Sequence, residues 1–293
     1  MQMLDCLTTA VIAGMRVVRA NQGRPTTTTV KSADGTQVTP TDKQSQKVML
    51  EVLQGIPGTY IHAEESGQHT ADAPIGILVD PMDGTRAFAV GLATSTVIAA
   101  TYDHRLRQVT SCVIGEPATG RVWFVASSMR LTQLLWHDFA TGENSSPTIV
   151  GREWDDKRTS GINEQLTVLV DVSHGFTRGG RQMLTDMQTA KLFASLNGEV
   201  KILLPGSNGL HQALVANGAG SLAGSLTLAI GGPWDVCGAL LVKQARGSCR
   251  AFKRGFIGLT EHDPLDVLGY DILVTGNSPA IADYLADKVA GVV

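Results

Sequence analysis

The N-terminal segment has hydrophobic residues at intervals of three and four, the repeat of a helix that buries one face. This repeat predicts a first helix from Met1 to about Asn21. A second helix is predicted to begin near Thr41, because Thr41 and Gln44 have the spacing of a capping box. A final helix is predicted after Ser278 and Pro279, residues typical of the cap and the first helical position.

Between these helices the pattern becomes strand-like. An apolar run over residues 75–79 ends at Asp80-Pro81, and three β-branched runs separated by turns predict an antiparallel meander at 96–102, 108–114 and 121–126. After the polar segment 142–158, predicted strands (166–172, 201–204, 270–274) alternate with predicted helices (209–216, 234–246). We therefore expect an N-terminal α+β half, residues 1–148, and a C-terminal α/β half, residues 149–293.

Composition and charge narrow the class of protein. The 293 residues are 43% hydrophobic and 17% charged, which supplies a substantial core. The net charge is −3 and there is no run of Lys or Arg, so neither a nucleic-acid polymer nor a membrane is an expected partner. The four cysteines lie far apart in the sequence, and this spacing fits neither a disulfide framework nor a zinc site. Free thiols and the lack of an N-terminal export pattern predict a cytoplasmic protein.

The segment Val79-Asp80-Pro81-Met82-Asp83-Gly84-Thr85 carries the clearest chemistry. Two carboxylates three residues apart, at the exit of a strand, can point to one spot, and Gly84 allows the backbone to approach a ligand. If a helix begins at Gly84, its free N–H groups form an anion site beside the carboxylates. Carboxylates next to a phosphate require a hard cation between them, and Mg²⁺ prefers oxygen ligands of this kind. The alternative interpretation is a surface turn.

Two other motifs are excluded by spacing. Haloacid-dehalogenase phosphatases place their two aspartates two residues apart, whereas Asp80 and Asp83 are three apart. An EF-hand loop starting at Asp80 would need ligands at its third and twelfth positions, which here are Met82 and Gly91.

Three further acidic segments are ambiguous when taken singly. Glu64-Glu65 reads as a solvated pair, of which at most one member would enter a shared site, because adjacent side chains point apart. Asp235, after Gly232-Pro233-Trp234, and Asp42, after Thr39-Pro40-Thr41, each stand in a first helical turn, where a capping role is the simpler interpretation.

Taken together, these segments resemble the inositol monophosphatase superfamily of Mg²⁺-dependent, lithium-sensitive phosphatases. The resemblance spans nearly the whole chain, and its most specific elements are Asp-Pro-x-Asp-Gly-Thr and Trp-Asp. It implies a layered αβαβα sandwich of the inositol monophosphatase/fructose-1,6-bisphosphatase type. It also implies two or three Mg²⁺ ions, with Mn²⁺ as a substitute, held by Glu64, Asp80, the carbonyl of Met82, Asp83 and Asp235.

The resemblance assigns the remaining roles as well. Thr85 and Asp42 would take a proton from water, and the N–H groups of Gly84 and Thr85 would hold the phosphate. Candidate contacts to the substrate are Arg86, His174, Arg178, Gly206 and Ser207. The expected activity is hydrolysis of a small phosphorylated metabolite, and family members are often homodimers.

The sequence before Trp234 departs from the pattern of inositol-specific family members. Inositol-specific members carry an acidic residue some seven positions before Trp-Asp, but residues 219–230 contain no carboxylate. The segments around Glu64 and Arg86 favour relatives that act on 3′-phosphoadenosine 5′-phosphate or histidinol phosphate. An inactive metal-binding regulator is the alternative from another class, and it predicts a missing ligand.

Overall fold

The structure is a computed structural model. It describes residues 3–24, 26–31, 36–69, 73–128, 132–136, 148–150, 165–172, 184–218, 221–228, 230–255 and 258–293. Within these ranges, no helix has both the length and the apolar character needed to cross a membrane.

Two helices and a small hairpin open the chain. The predicted first helix is confirmed as α1 (Met3–Asn21), and α2 spans Pro40–Leu53. Between them, β1 (Thr29–Val30) pairs with β2 (Gln37–Val38). The predicted cap of α2 was wrong, because Thr39 caps the helix and its capping box closes with Asp42. Proline is favoured at the first helical position, so Pro40 starts the helix one residue earlier than Thr41.

The N-terminal sheet has eight strands in the order β10-β9-β8-β7-β6-β5-β3-β4. Their bounds are β3 Thr59–Ala63, β4 Gly67–His69, β5 Ile75–Asp83, β6 Thr96–Asp103, β7 Gln108–Glu116, β8 Arg121–Ala126, β9 Thr132–Trp136 and β10 Thr148–Val150. The predicted antiparallel meander is confirmed. The strand predicted to end at Val79 continues to Asp83, with irregular pairing to β6 between Asp80 and Asp83.

The C-terminal sheet has six strands in the order β12-β11-β13-β16-β14-β15, of which β12, β11 and β13 run parallel. The strands are β11 Thr167–Asp171, β12 Lys201–Leu203, β13 Leu222–Thr227, β14 Ser248–Gly255, β15 Gly258–His262 and β16 Ile272–Gly276; the helices are α4 Asp186–Leu196, α5 Asn208–Asn217, α6 Ala239–Gln244 and α7 Pro279–Ala290. The helix predicted over 234–246 is divided into a 3₁₀ turn, Pro233–Val236, and α6, which Gly238 precedes. Ser278 caps α7, as predicted.

The helices and sheets form five layers that pack around three hydrophobic cores, and the predicted αβαβα sandwich is confirmed. Residues of α1 and α2 pack on the first sheet, for example Leu7 and Met49 with Val113. Residues of α5 and α6 fill the space between the two sheets, and α4 and α7 cover the outer face of the second sheet. The last strand of the first sheet ends at Val150 and the second sheet begins at Thr167. The domain division at residue 148 stays a prediction, since 151–164 lie outside the described residues.

Candidate metal centre

Three buried carboxylates meet between the two sheets. Asp80 and Asp83 lie at the end of β5, and Asp235 lies in the 3₁₀ turn that follows β13. One ligand oxygen from each lies within 4.8 Å of the others, and the residues are only 2%, 5% and 3% exposed. The irregular end of β5 allows this convergence, because a regular strand would turn side chains three apart to opposite faces.

Two of these carboxylates are each anchored through one oxygen. The backbone N–H of Met82 donates to Asp80 Oδ1 at 2.9 Å. The hydroxyl of Ser207 and the N–H of Gly209, at the start of α5, both donate to Asp83 Oδ2 at 2.7 Å. Within the described residues, no hydrogen bond reaches Asp80 Oδ2 or Asp83 Oδ1, so each carboxylate is oriented while one oxygen stays available.

Asp235 follows the same arrangement. Its Oδ2 accepts from the backbone N–H groups of Gly231 and Gly232, the latter at 3.2 Å, and so satisfies the backbone at the start of the 3₁₀ turn. The described part of the chain offers no hydrogen bond to Oδ1. The capping interpretation of Asp235 and its interpretation as a ligand are therefore compatible, since each uses a different oxygen.

Burial raises the pKa of all three carboxyl groups, and neighbouring negative charges raise it further. The pKa of Asp235 rises to about 8, chiefly through burial and then through the charge of Asp83. Such a site is costly to ionise without a counter-charge, and its donor atoms are all carboxylate oxygens. Oxygen-only sets suit hard cations such as Mg²⁺, so the residues present fit a divalent cation of this class.

Glu64 lies beside this group and is held by a lysine. Lys31 Nζ is 2.8 Å from Glu64 Oε1 and 2.7 Å from Glu65 Oε1. The expectation that the two glutamates point to different places was wrong, because the Lys31 ammonium draws both carboxylates to one point. Burial, and then the charge of Glu64, raises the pKa of Asp80, so Glu64 is electrostatically part of the centre.

Thr85 and Asp42 form a hydrogen-bonded pair at the edge of the centre. Thr85 Oγ1 lies 2.7 Å from Asp42 Oδ1 and 3.0 Å from the carbonyl oxygen of Met82. Asp42 Oδ2 accepts from the N–H of Thr39 at 2.7 Å and from its hydroxyl at 2.6 Å. Asp42 thus completes the capping box of α2 and contacts Thr85 at once, with both oxygens engaged, unlike the three aspartates of the cluster.

Gly84 precedes the short helix α3 (Thr85–Ala89) in a left-handed conformation, φ 91°. A Cβ at this position would lie 2.9 Å from the carbonyl oxygen of Gly206, so the two segments approach as closely as glycine allows. Arg86 is exposed on α3, and Ser207 is buried against Asp83. His174 and Arg178, predicted as substrate contacts, lie outside the described residues.

The family model of the inositol monophosphatase family matches residues 1–290. This chain belongs to that family. No curated protein sequence matches it. Solved structures with the same fold include an IMPase of Thermotoga maritima, with 19% identity, a TM-score of 0.70 and full coverage of both chains. The extragenic suppressor protein SuhB of Bartonella henselae has 17% identity and a TM-score of 0.72 over 99% of this chain and 98% of its own.

A member described as an inositol monophosphatase-fructose 1,6-bisphosphatase is similar at 13% identity and a TM-score of 0.66, over 98% of this chain and 100% of its own. At sequence identities this low, the structural similarity establishes the shared fold alone. The predicted family and the predicted fold type are both confirmed.

Some residues around the centre of this family member were not predicted. Thr96 donates to Asp83 Oδ2 at 3.2 Å, and Ser45 donates to the carbonyl oxygen of Pro81 at 2.7 Å. Ser45 stands three residues after Asp42 on α2, a spacing that places both on one helix face. Thr96 is the register partner of Asp83 in β6, which only the sheet pairing reveals.

Proposed function

We propose that this protein is a Mg²⁺-dependent phosphatase that hydrolyses a small phosphomonoester with water as the nucleophile. The observation that carries the proposal is the cluster of Asp80, Asp83 and Asp235, each fixed through one oxygen and leaving the other available. Membership of the inositol monophosphatase family supports the same activity.

The proposed ligands combine the carboxylate cluster with what membership of the family implies. Asp80, Asp83 and Asp235 would hold one ion, and Glu64, Asp80 and the carbonyl of Met82 another, with Mn²⁺ as a substitute for Mg²⁺ and a weaker third ion near Glu64. When bound, such ions neutralise phosphate charge, acidify water and stabilise a leaving alkoxide. The Lys31 ammonium meets the same carboxylate, so Glu64 stays partly neutralised when fewer ions are bound.

Thr85 and Asp42 would provide the base. Asp42 Oδ1 accepts the hydroxyl proton of Thr85, which leaves the lone pairs of Thr85 Oγ1 directed to accept from a water molecule. The proton then passes toward the Asp42 carboxylate, and general-base assistance of this kind contributes about 10²–10⁴ in rate. The N–H groups of Gly84 and Thr85 would hold phosphate oxygens, since α3 begins there.

The substrate is proposed only as a class. The absence of carboxylates in 219–230 argues against a preference for myo-inositol phosphate. The exposed guanidinium of Arg86, next to the predicted phosphate-binding residues, favours a leaving group with a further anionic substituent, such as 3′-phosphoadenosine 5′-phosphate. His174 and Arg178 stay candidate contacts, and histidinol phosphate is the second candidate substrate.

The regulator alternative is weaker because each predicted carboxylate ligand is present and close to the centre.

We retain the cytoplasm as the expected compartment, because all four cysteines are free thiols. A homodimer stays a family-based proposal.

A substrate screen tests the proposed activity. Purified protein with Mg²⁺ is assayed for inorganic phosphate released from inositol 1-phosphate, 3′-phosphoadenosine 5′-phosphate, histidinol phosphate and fructose 1,6-bisphosphate. We expect release from at least one ester, and none from an Asp80→Asn variant purified in parallel. Equal release by both proteins would assign the activity to a contaminant and remove support for the proposal.

A further inference from the structure

Gln212 is a fully buried amide on α5 that makes one directed contact. Its Nε2 donates to the backbone carbonyl oxygen of Asp235 at 2.6 Å. A carbonyl oxygen only accepts, so the amide nitrogen, and not the amide oxygen, must face Asp235. The contact fixes the peptide plane at the residue whose side chain completes the carboxylate cluster.

The same helix also holds the opposite side of the cluster. Gly209 and Ser207, at the start of α5, bind Asp83, and Gly209 lies three residues before Gln212. A Cβ on Gly209 would lie 3.2 Å from Asp83 Oδ2, and residues three apart share a helix face, so the face of α5 that lies against Asp83 also carries Gln212. The distance between these two ligands is thereby tied to one rigid element, although they lie 152 positions apart in the chain (235 − 83).

The surroundings of Gln212 satisfy only one half of its amide. Its Oε1 is buried and has no hydrogen-bond partner within the described residues. A buried acceptor without a partner is unfavourable, so the donation from Nε2 to the Asp235 carbonyl is what distinguishes this amide from a hydrophobic side chain of similar size. Gly238 makes room for the side chain, because a Cβ there would lie 2.6 Å from Gln212 Oε1 and 2.7 Å from Gln212 Cβ.

We propose that Gln212 is a positioning residue that sets Asp235 against Asp83 and so determines the affinity for the divalent cation. This inference rests on the cation site of the proposed function and not on the identity of the substrate. The role assigned to Gln212 is indirect, because its contact is with the main chain of Asp235. Partners of this kind change metal affinity by about 10–100-fold when removed.

The test compares Gln212→Leu, which keeps the volume and removes the donor, with Ser225→Ala. The control loses a buried hydrogen bond to Thr275 (2.7 Å) in the second sheet, away from the cluster. Mn²⁺ binding to the substrate-free protein is measured by electron paramagnetic resonance, and thermal melting is measured in chelator. We expect the affinity for Mn²⁺ to fall by at least about 10-fold in Gln212→Leu and to equal that of the wild type in Ser225→Ala. In chelator, Gln212→Leu should melt close to the wild type, because it removes the unpaired Oε1 and also leaves the carbonyl of Asp235 without this donor.

Each other outcome has a definite meaning. Unchanged Mn²⁺ affinity in folded Gln212→Leu would overturn the positioning role and leave the proposed function intact. Wild-type protein that binds no Mn²⁺ would overturn the cation site and, with it, this role. If Gln212→Leu does not fold, Gln212→Met, which keeps the length of the side chain and has no hydrogen-bond donor, takes its place with the same expectation. For either variant, kcat should recover at saturating Mg²⁺ while the apparent KM for Mg²⁺ rises.

Discussion

Replacing Asp42 with Asn separates its two hydrogen-bonding roles. Asp42 Oδ2 accepts from the N–H and hydroxyl of Thr39, and Oδ1 accepts from Thr85. An Asn side chain has one accepting oxygen and one donating nitrogen, so it can serve the cap or Thr85 but not both. If the amide oxygen serves the cap, stability is kept and Thr85 loses its acceptor; in the other orientation, the lost cap costs about 1 kcal/mol.

The rate should fall in either orientation, because an amide cannot take up the proton of Thr85. We expect kcat to decrease by about 10²–10⁴, the range for loss of general-base assistance. Thr85→Ala should lose rate to the same extent without weakening the cap. The double variant should be little slower than either single variant, since residues that act as one unit are not additive.

Thr39→Val is the matched control. It removes the hydroxyl that caps α2 but leaves the Asp42 carboxylate and its contact with Thr85 in place. It should lose about 1 kcal/mol of stability in urea titrations and keep its rate of phosphate release at saturating Mg²⁺. A normal rate in Asp42→Asn, or multiplied losses in the double variant, would remove Asp42 from the mechanism and leave it a cap.

Three other predictions address the centre. In chelator, the folded protein retains a proton on Asp235 (pKa about 8) that the unfolded chain releases near its ordinary value, so the contribution of this group to stability falls as the pH rises toward 8. Burial lowers the pKa of His211 and His62, which gives the opposite slope below about pH 6.5, so melting curves from pH 6.5 to pH 8.5 should show the fall, with Mg²⁺ reducing it; a melting temperature that rises over this range would contradict the burial argument. Asp235→Asn keeps an acceptor for Gly232 but loses the charge, so turnover should fall at least about 100-fold with little change of melting temperature in chelator; near-normal turnover would make Asp235 a cap only. Gly84→Ala should lose turnover because its Cβ would press on Gly206, whereas Gly91→Ala, which has a similar φ of 87° and nothing within 4 Å, should keep it; equal losses in the two would refute the close-approach argument.

Local patterns in the sequence predicted the elements whose causes are local. The spacing of apolar residues gave α1, and Ser278-Pro279 gave the start of α7. The cap of α2 was misplaced because two Thr residues compete, and only the preference of Pro40 for the first position decides in favour of Thr39.

Contacts between distant segments could not be read from single patterns. Lys31 follows β1 and meets Glu64 and Glu65 through tertiary packing, in which β2 lies against α3. Gln212 reaches Asp235 only through the packing of α5 against the 3₁₀ turn. A charged pair and a buried amide have no sequence signature of their own, because solvated residues of the same types are far commoner.

The dependence of phosphate release on a divalent cation tests the account most directly. Protein treated with chelator is assayed on whichever ester of the screen it hydrolyses, before and after excess Mg²⁺ is added. The account predicts loss of activity in chelator, recovery with Mg²⁺ or Mn²⁺, and inhibition by Li⁺, as in the family it resembles. Full activity in chelator would contradict the claim that Asp80, Asp83 and Asp235 act by holding a cation.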